Sequence, residues 1–241
     1  MSAASTPAAS RVAVVTGGLG ALGKAVVEGF IAAGYRVAVI DRLPADAPAA
    51  AASRTNPGVL LLAGVDLGDA TAAQEAMRAA AAHFGGIDAL INVAGAFRWQ
   101  LLSEGDLAIW HGMFAANLLS AASACRAAIP YLRQRASGRI VNIGAGAAAA
   151  RAAAGMGAYA ASKAGVHKLT ESLADELKSH GITVNAVLPG TIDTPQNRAD
   201  MPDADRSRWV TPREVASVIL FLASDAAQAV TGALVPVNGR G

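Results

Sequence analysis

The run Tyr-Ala-Ala-Ser-Lys at positions 159–163 brings together a phenol and an ammonium that could transfer a proton. Tyr159 and Lys163 are four residues apart, so on a helix both side chains lie on one face, about one turn from each other. A free tyrosine has a pKa of about 10, and its use near neutral pH requires a depression of about three units, or about 4 kcal/mol. An adjacent ammonium favours the phenolate. We therefore expect Lys163 to lower the pKa of Tyr159, which would donate a proton to a substrate oxygen or nitrogen.

A glycine-rich turn near the N-terminus predicts the binding of a dinucleotide. Residues 11–16 form a short β-branched run, Gly17-Gly-Leu-Gly-Ala-Leu-Gly23 follows, and an apolar-periodic stretch continues to Ala33. Strand, glycine turn and helix in this order let the backbone approach a pyrophosphate, which the N–H groups and partial positive charge of the helix N-terminus can bind. The next predicted strand ends at Asp41, where a carboxylate can hold both ribose hydroxyls.

The same turn also satisfies the G-x-x-x-x-G-K pattern of a nucleoside-triphosphate P-loop, from Gly18 to Lys24. That pattern requires a serine or threonine hydroxyl at the next position to hold magnesium, and the residue there is Ala25. The dinucleotide interpretation is therefore favoured over the nucleotidase interpretation.

Taken together, the motifs resemble the short-chain dehydrogenase/reductase family over about residues 12–239. They are Thr16-Gly-Gly-Leu-Gly-Ala-Leu-Gly23, Asp66, Asn92-Val-Ala-Gly95, Asn117, Tyr159-x-x-x-Lys163 and Pro189-Gly190. The resemblance implies an oxidoreductase with NAD(P)(H) over the carboxyl ends of a parallel sheet, Tyr159 as general acid/base, Lys163 on the nicotinamide ribose and Asn117 holding a relay water. The residues implied to bind the cofactor are Gly17, Gly18, Leu19, Gly20, Leu22, Asp41, Arg42, Asp66, Leu67, Asn92, Ala94, Gly95, Tyr159, Lys163, Pro189, Gly190 and Ile192.

One expected catalytic residue of that family is missing. Residues 138–158 contain no serine or threonine, and the position of the family's serine falls on Ala145 or Gly146, depending on the direction of counting. That serine would donate a hydrogen bond to a carbonyl oxygen as it becomes an alkoxide, and losing such a donor typically costs about 10²–10³ in rate. Either the substrate does not need this donor, or the chain is a poor or inactive catalyst.

A branch that lacks the serine is quinonoid dihydropteridine reductase, which the chain resembles in three segments. These are Gly155-Met-Gly-Ala-Tyr159, Ala164-Gly-Val-His-Lys-Leu169 and the stretch from Leu188 to Arg198 with the following Met201-Pro-Asp-Ala-Asp205 and Trp209. The resemblance implies a quinonoid ring substrate, whose delocalised nitrogens accept electrons without a serine-held alkoxide. Asn117 departs from this branch, since it belongs to the relay of the main family.

Alternating β and helical patterns predict an α/β fold, a single-domain doubly wound parallel sheet of about seven strands with helices on both faces. We predict strands at 11–16, 36–41, 58–64, 87–93, 138–144, 182–188 and 233–237, and long helices at 107–135 and 155–180. Residues 1–10 are interpreted as a disordered tail and 11–241 as one dinucleotide-binding domain. The segment near 190–210, dense in Asp, Arg, Pro and Met, is predicted to cover a small substrate as a lid.

Composition argues against several other classes of protein. The net charge is +2 with scattered arginines, which gives no nucleic-acid footprint. Apolar stretches are interrupted before the roughly 18 residues of a membrane span, and the single cysteine fits a reducing cytoplasm. No metal is expected, because the histidines lack metal-ligand spacing and are interpreted as structural or solvated: His83, His111, His167 and His180. A homodimer or homotetramer is expected from the family resemblance alone.

Several residues keep two interpretations. Asp41 either binds ribose, which favours NAD(H) because a carboxylate repels a 2′-phosphate, or caps a strand or pairs with Arg42, and Arg42 keeps NADP(H) use open. Asp66 is either an adenine contact or a turn residue, Asn117 either a relay or a helix-kinking residue, and Asn92 is expected to join strands below the cofactor. Polar loop residues either line a ring-shaped pocket or lie on the surface; they are Trp99, Gln100, Gln196 and Asn197.

Three functions follow from the sequence. The first is an NADH-linked reductase of a small ring such as a quinonoid dihydropterin. The second is a ketone reductase or alcohol dehydrogenase in which another donor or a water replaces the serine. The third is a non-catalytic dinucleotide-binding protein, which the retention of Tyr159, Lys163 and Asn117 argues against.

Overall fold

A computed structural model of the chain describes residues 10–240, so all but the last residue of the predicted tail lies outside the described part. Seven parallel strands form one sheet in the order β3-β2-β1-β4-β5-β6-β7. The strands are β1 (Val12–Thr16), β2 (Arg36–Asp41), β3 (Val59–Ala63), β4 (Ala89–Asn92), β5 (Gly138–Ile143), β6 (Ile182–Pro189) and β7 (Leu234–Val237). Each predicted strand is present, with ends that differ from the prediction by at most two residues.

Nine α-helices connect or flank these strands in the described part of the chain. They are α1 (Ala21–Ala32), α2 (Ala51–Thr55), α3 (Ala70–Phe84), α4 (Ala108–Met113), α5 (Ser120–Leu132), α6 (Gly146–Ala149), α7 (Gly157–Leu177), α8 (Pro195–Asp200) and α9 (Pro212–Leu222). Local capping fixes several of their ends. Asp69 accepts the Thr71 N–H at 2.7 Å at the start of α3, and Thr211 and Glu214 form a reciprocal capping box at the start of α9.

The sheet is covered on both faces, which confirms the predicted doubly wound fold class. One hydrophobic cluster packs α3, α5 and α7 against the sheet, with Met77 and Leu177 fully buried. The other cluster packs α1 and α9 against the opposite face, through Phe30 and Ile219. All five residues of β1 are buried, as expected for a central parallel strand that is apolar on both sides.

The chain order reverses at β1, whose two neighbours in the sheet are β2 and β4. Ligands of open α/β sheets bind outside the carboxyl ends of the strands at such a switch point. The expected ligand site is therefore at the carboxyl ends of β1, β4 and β5. The glycine turn follows β1, and Lys163 of the proton-transfer pair contacts the end of β5.

The predicted helix at 107–135 is present as one helical stretch, Ala108–Leu132, but its α-helical pattern is interrupted in the middle. A π-helical turn, Phe114–Leu119, joins α4 to α5 and contains Asn117, which is 1 % exposed. Asn117 therefore lies where the regular hydrogen-bond ladder of the helix is interrupted, which agrees with its helix-kinking interpretation.

One helical stretch among the described residues, Ala108–Leu132, is long and apolar enough to cross a membrane by length and composition. Core helices of soluble proteins pass the same test, and Ala124, Cys125 and Leu132 in this stretch belong to the hydrophobic cluster under the sheet. The stretch is therefore weak evidence for a membrane span.

The segment after β6, residues 190–210, contains α8 and lies at the carboxyl end of the sheet. An isolated parallel bridge pairs Ile192 with Val210, so the two ends of the segment are held together. Asp193 and Arg198 form a two-pronged ion pair at 2.5 and 2.7 Å beside α8. The segment has the position of the predicted lid, whose closure stays a prediction.

Candidate active site

The glycine turn forms the floor of a cleft through its bare backbone. Gly17 has φ +63°, and a Cβ there would lie 2.7 Å from the Cα of Ala94. A Cβ at Gly23 would lie 2.1 Å from the carbonyl oxygen of Gly17. Glycine is thus required at both positions by close backbone approach, and the turn stays free of side chains toward the cleft.

The cleft above this turn has a volume of about 760 Å³ and runs along the carboxyl ends of β1, β2, β4 and β5. Cofactor sites have volumes of about 300–1,000 Å³, and a bare glycine turn followed by the N-terminus of α1 suits a pyrophosphate. The residues present therefore fit a dinucleotide.

Asp41 lies at the end of β2 beside the glycine turn and is buried. One of its carboxylate oxygens accepts the Leu19 N–H and the other accepts the Leu43 N–H, each at 3.0 Å. The strand-end capping interpretation is correct. Asp41 also lines the cleft, so the same carboxylate remains a candidate ligand of a ribose hydroxyl.

Asp66 makes a turn contact, one of its two interpretations, and Asn92 joins two strands. Asp66 accepts the Gly68 N–H at 2.8 Å, a turn contact, and it also lines the cleft. The Asn92 side chain donates to Oδ1 of Asn142 at 2.9 Å and joins β4 to β5, as expected. Asn92 does not line the cleft.

Tyr159 lies near the start of α7 and faces the cleft, with Phe97 edge-on to its ring at a centroid distance of 5.0 Å. Burial raises the pKa of Tyr159 above its ordinary value. The net direction of the shift is thus opposite to the expected lowering, and the effect of Lys163 on the phenol stays a prediction. The neutral phenol is the stable form at pH 7, and it can donate a proton.

Lys163, the other member of the pair, makes its own contact at the end of β5. Its ammonium is buried and donates to the carbonyl oxygen of Ile143, at the end of β5, at 2.7 Å. Burial lowers the pKa of Lys163 to about 8. The Lys163 ammonium thus loses its proton more readily than an ordinary lysine and is bonded to the backbone, while burial is the cause of the raised pKa of Tyr159.

Asn117 connects three elements of the site through its side-chain amide. Its oxygen accepts the Ala96 N–H at 2.8 Å, and its nitrogen donates to the Ala96 carbonyl oxygen at 3.1 Å and to Oγ of Ser162 at 2.9 Å. The amide is engaged in these contacts, and Ala116 rather than Asn117 lines the cleft. The relay role of Asn117 stays a prediction, while its anchoring contacts are a structural fact.

Ala145, one of the two positions counted for the missing serine, is buried directly after β5 and carries no hydroxyl. Its backbone N–H is also engaged, because it donates to Nε2 of His167 at 3.3 Å. Gly146, the other counted position, begins α6. This end of the site therefore offers neither a hydroxyl nor the Ala145 N–H to a substrate.

Twelve of the predicted site residues line the cleft and six do not. Those that line it are Gly17, Gly20, Leu22, Asp41, Arg42, Asp66, Leu67, Ala94, Gly95, Tyr159, Lys163 and Ile192. Those outside the lining are Gly18, Leu19, Asn92, Asn117, Pro189 and Gly190. Gly18 packs on the core instead, where a Cβ would lie 2.7 Å from a methyl of Val39.

The sequence analysis assigned no site role to several residues that line the cleft. They include Ile40, Val65, Val93, Ala96, Phe97, Ala116, Ser120, Ile143, Thr194 and Pro195, of which Val93, Thr194 and Pro195 lie within motifs that it quoted. For Ile40, Val65, Val93 and Ile143 the available signal is their position at or directly after the carboxyl end of a predicted strand, where ligands of α/β sheets bind. Gln196 also lines the cleft, as one of its two interpretations proposed. Among residues 10–240, no group of three potential metal ligands comes together.

Comparison with known proteins agrees with this geometry. A family model described as short chain dehydrogenase matches residues 11–205. A 3-oxoacyl-acyl-carrier-protein reductase of Vibrio cholerae is 33% identical over 95% of this chain and 96% of the relative. A cis-4-hydroxycyclohexanecarboxylate dehydrogenase of Sinomonas cyclohexanicum is 36% identical over 96% of both chains. A solved short-chain dehydrogenase/reductase of Serratia marcescens, with two phenylalanine-to-leucine substitutions, has a TM-score of 0.87 at 32% identity, covering 98% of this chain and 99% of that one.

The chain belongs to the short-chain dehydrogenase/reductase family. It is an oxidoreductase that uses NAD(P)(H), and the non-catalytic alternative is set aside.

Proposed function

We propose that the enzyme reduces a small, flat, conjugated ring, such as a quinonoid dihydropterin, with NADH and with Tyr159 as the proton donor. The observation that carries this proposal is the end of β5. Ala145 has no hydroxyl, and its N–H is bonded to His167. Tyr159 thus lines the cleft as a proton donor, while neither Ala145 nor Gly146 supplies the second donor that a localised alkoxide requires.

A quinonoid ring suits such a site because its reduction spreads the incoming electron pair over ring nitrogens. When bound, the nicotinamide supplies the hydride. The enzyme's residues supply the other proton: the neutral phenol of Tyr159 gives it to a ring nitrogen, and one hydride and one proton together complete the two-electron reduction. The raised pKa of Tyr159 favours this direction, since a neutral phenol is an acid and not a base.

Aromatic surface around Tyr159 supports a flat ring as the substrate. Phe97 is 46% exposed although it lies at the cleft, edge-on to Tyr159. Trp99 is also exposed but does not line the cleft, and its indole N–H donates to the Ala154 carbonyl oxygen at 2.9 Å. The indole lies over Gly155, where a Cβ would be 2.2 Å away. Exposed apolar surface of this kind commonly marks a ligand site.

The preference for NADH over NADPH rests on Asp41. The carboxylate lines the cleft, and it is held by two backbone N–H groups, so it is oriented before any ligand arrives. A fixed negative charge at this position attracts ribose hydroxyls and repels a 2′-phosphate. We also propose, from the family alone, a cytoplasmic homo-oligomer with the segment near 190–210 closing over the substrate.

The test is NADH oxidation by the purified protein with quinonoid dihydropterin generated in situ, and NADPH in parallel. We expect turnover that favours NADH. Tyr159→Phe should lower turnover by about 10²–10⁴ while NADH binding, followed by fluorescence, survives. Tyr131→Phe on α5 is the matched control and should leave both unchanged. Unchanged turnover in Tyr159→Phe would contradict the role of that residue, and no turnover of the dihydropterin with intact NADH binding would contradict the ring substrate.

A second candidate function is the reduction of an ordinary ketone, which the names of the relatives favour. The relatives reported above act on 3-oxoacyl groups and on a ring alcohol, and both reactions interconvert a carbonyl and an alcohol. In this case another donor in the cleft would replace the serine. A candidate is the hydroxyl of Thr194, which lines the cleft and whose oxygen also caps α8 by accepting the Asn197 N–H at 3.1 Å.

One variant, Ala145→Ser, distinguishes the two candidate functions by its turnover of small ketones and of dihydropterin. Restoring a hydroxyl should raise turnover of small ketones by up to about 10²-fold if the second candidate is correct. It should leave dihydropterin reduction within about twofold if the first is correct, because that substrate does not use the donor.

A further inference from the structure

His167 lies on α7 one helical turn after Lys163, and both side chains reach the end of the same strand. Lys163 donates to the Ile143 carbonyl oxygen at 2.7 Å, and Nε2 of His167 accepts the Ala145 N–H at 3.3 Å. His167 is 4% exposed. Two side chains spaced i and i+4 therefore hold two backbone groups on either side of Gly144.

Gly144 shows how closely the imidazole packs on this backbone. A Cβ at Gly144 would lie 2.5 Å from Nε2 of His167 and 3.1 Å from a methyl of Leu188. The Gly144 N–H donates to the Val187 carbonyl oxygen at 2.9 Å, which fixes the same residue from the β6 side. The end of β5 is thus enclosed between β6 and the imidazole.

The Ala145 hydrogen bond requires a neutral imidazole. Nε2 accepts a proton donor only when the ring proton resides on Nδ1, because both nitrogens of an imidazolium are donors. Protonation would therefore place two N–H groups against each other at the Ala145 backbone.

The surroundings of His167 keep it neutral at pH 7. Burial lowers the pKa of His167, the charges of Lys163 and Lys168 lower it further, and Glu171 opposes them. The groups beside the imidazole at the end of β5 are Gly144 and Ala145, and the nearby side chain from β6 is Leu188; none of the three carries a charge.

We propose that His167 is a positioning residue of the active site: as a neutral acceptor it ties the Ala145 amide and, together with Lys163, fixes the end of β5 against the helix that carries Tyr159. Protonation of His167 releases this tie, so the enzyme loses activity in acid through a group that touches neither substrate nor cofactor. The proposal does not depend on the ring substrate.

The first test compares three substitutions that differ in where they place an acceptor. The side-chain oxygen of His167→Gln reaches the position of Nε2, that of His167→Asn reaches only the position of Nδ1, and His167→Leu has none. We expect kcat at pH 7.5 to stay within about twofold for His167→Gln and to fall about tenfold for the other two, with the KM for cofactor unchanged. Equal losses in all three would overturn the proposal.

The second test follows the acid limb of the pH–activity profile, which a purely structural role would not move. Glutamine cannot be protonated, so His167→Gln should stay active at a pH where the wild type is inactive. An acid limb that coincides with that of the wild type would overturn the proposal.

Two surface variants provide matched controls, because they break the same exposed ion pair between Lys168 and Glu171. Lys168→Gln removes a charge that lowers the pKa of His167, so the acid limb should move to higher pH. Glu171→Gln removes a charge that raises it, so the limb should move to lower pH. Shifts in the same direction would contradict the assignment to His167.

A third readout needs no substrate. In the unfolded chain the pKa of a histidine is about 6.5, and in the folded enzyme that of His167 is lower, so stability falls as pH drops below about 6.5. The melting temperature of His167→Gln should therefore fall less between pH 7 and 5 than that of the wild type. This comparison remains valid even if no ring compound is reduced, and identical pH dependence would overturn the proposal.

Discussion

The side-chain amide of Asn117 donates a hydrogen bond of 2.9 Å to the hydroxyl of Ser162. Ser162 in turn donates to the carbonyl oxygen of Tyr159 at 2.7 Å and is fully buried. The bond therefore joins the π-helical turn to the helix that carries the proton donor. A serine that the sequence shows only as a spacer in the Tyr-Ala-Ala-Ser-Lys run is a structural link of the site.

Ser162→Ala should test this link. The substitution leaves the Asn117 amide with one buried donor unpaired, which costs about 1–3 kcal/mol in the free energy of unfolding. Chemical denaturation measures this loss, and kcat should fall several-fold because α7 is less firmly held. Ser217→Ala is the matched control, since that exposed serine also donates to a carbonyl within its own helix. A similar loss in both variants would mean that the Asn117 bond contributes nothing specific.

Two glycine-to-alanine variants in α1 should change stability in opposite directions. Gly23→Ala would place a Cβ 2.1 Å from a backbone oxygen, so we expect loss of cofactor binding, measured by NADH fluorescence, together with a lower melting temperature. Gly29→Ala lies in the same helix, with nothing within 4 Å of the added Cβ. Since alanine favours helix over glycine, that variant should gain up to about 1 kcal/mol and bind NADH normally. Tight NADH binding by Gly23→Ala would refute the close-approach argument.

The strands and the cofactor turn could be predicted because their signals are local. Buried parallel strands have nearly continuous apolar runs, so β2 was located at both ends and β4 within two residues. The glycine turn could be located because it follows the apolar run of β1 directly. Its glycines are needed where the backbone packs closely on other backbone atoms, as at Gly17 and Gly23. Tyr159 and Lys163 were placed on one helix by their spacing, which the structure confirms.

What the sequence could not provide are contacts between residues distant in the chain. The spacing of Tyr159 and Lys163 did not show that the ammonium turns to Ile143, because that contact depends on how α7 packs on β5. The π turn around Asn117 has no local sequence signal of its own. His167 was expected to be structural or solvated; it is buried, but its bond to Ala145 emerges only from the fold.

The buried Lys163 should give a distinctive alkaline stability profile. Its pKa is lowered to about 8 from an ordinary value of 10.5, so between these values the unfolded chain binds a proton that the folded chain lacks. The contribution of Lys163 to the free energy of unfolding therefore becomes more favourable as the pH rises from about 8 to 10.5. Below about pH 8 the buried lysine is charged, and the full cost of burying that charge applies. Denaturation of the wild type and Lys163→Met at pH 8 and 10 should show the difference moving in favour of the wild type. Lys178→Met, an exposed lysine, should show no such change.

Phe97 should discriminate flat rings from puckered ones. Its ring is edge-on to Tyr159 at 5.0 Å and half-exposed to the cleft, so a flat conjugated substrate can contact its free surface. Phe97→Leu keeps apolar volume but removes the aromatic contact, which is worth about 0.5–1.5 kcal/mol, or about two- to tenfold in kcat/KM. We expect that loss with a quinonoid ring and less than twofold change with cyclohexanone. Phe221→Leu is the matched control, because Phe221 on α9 has a similar exposure, 48% against 46%, and does not line the cleft. Equal losses of kcat/KM for both substrates would show that Phe97 fills space without recognising flat rings.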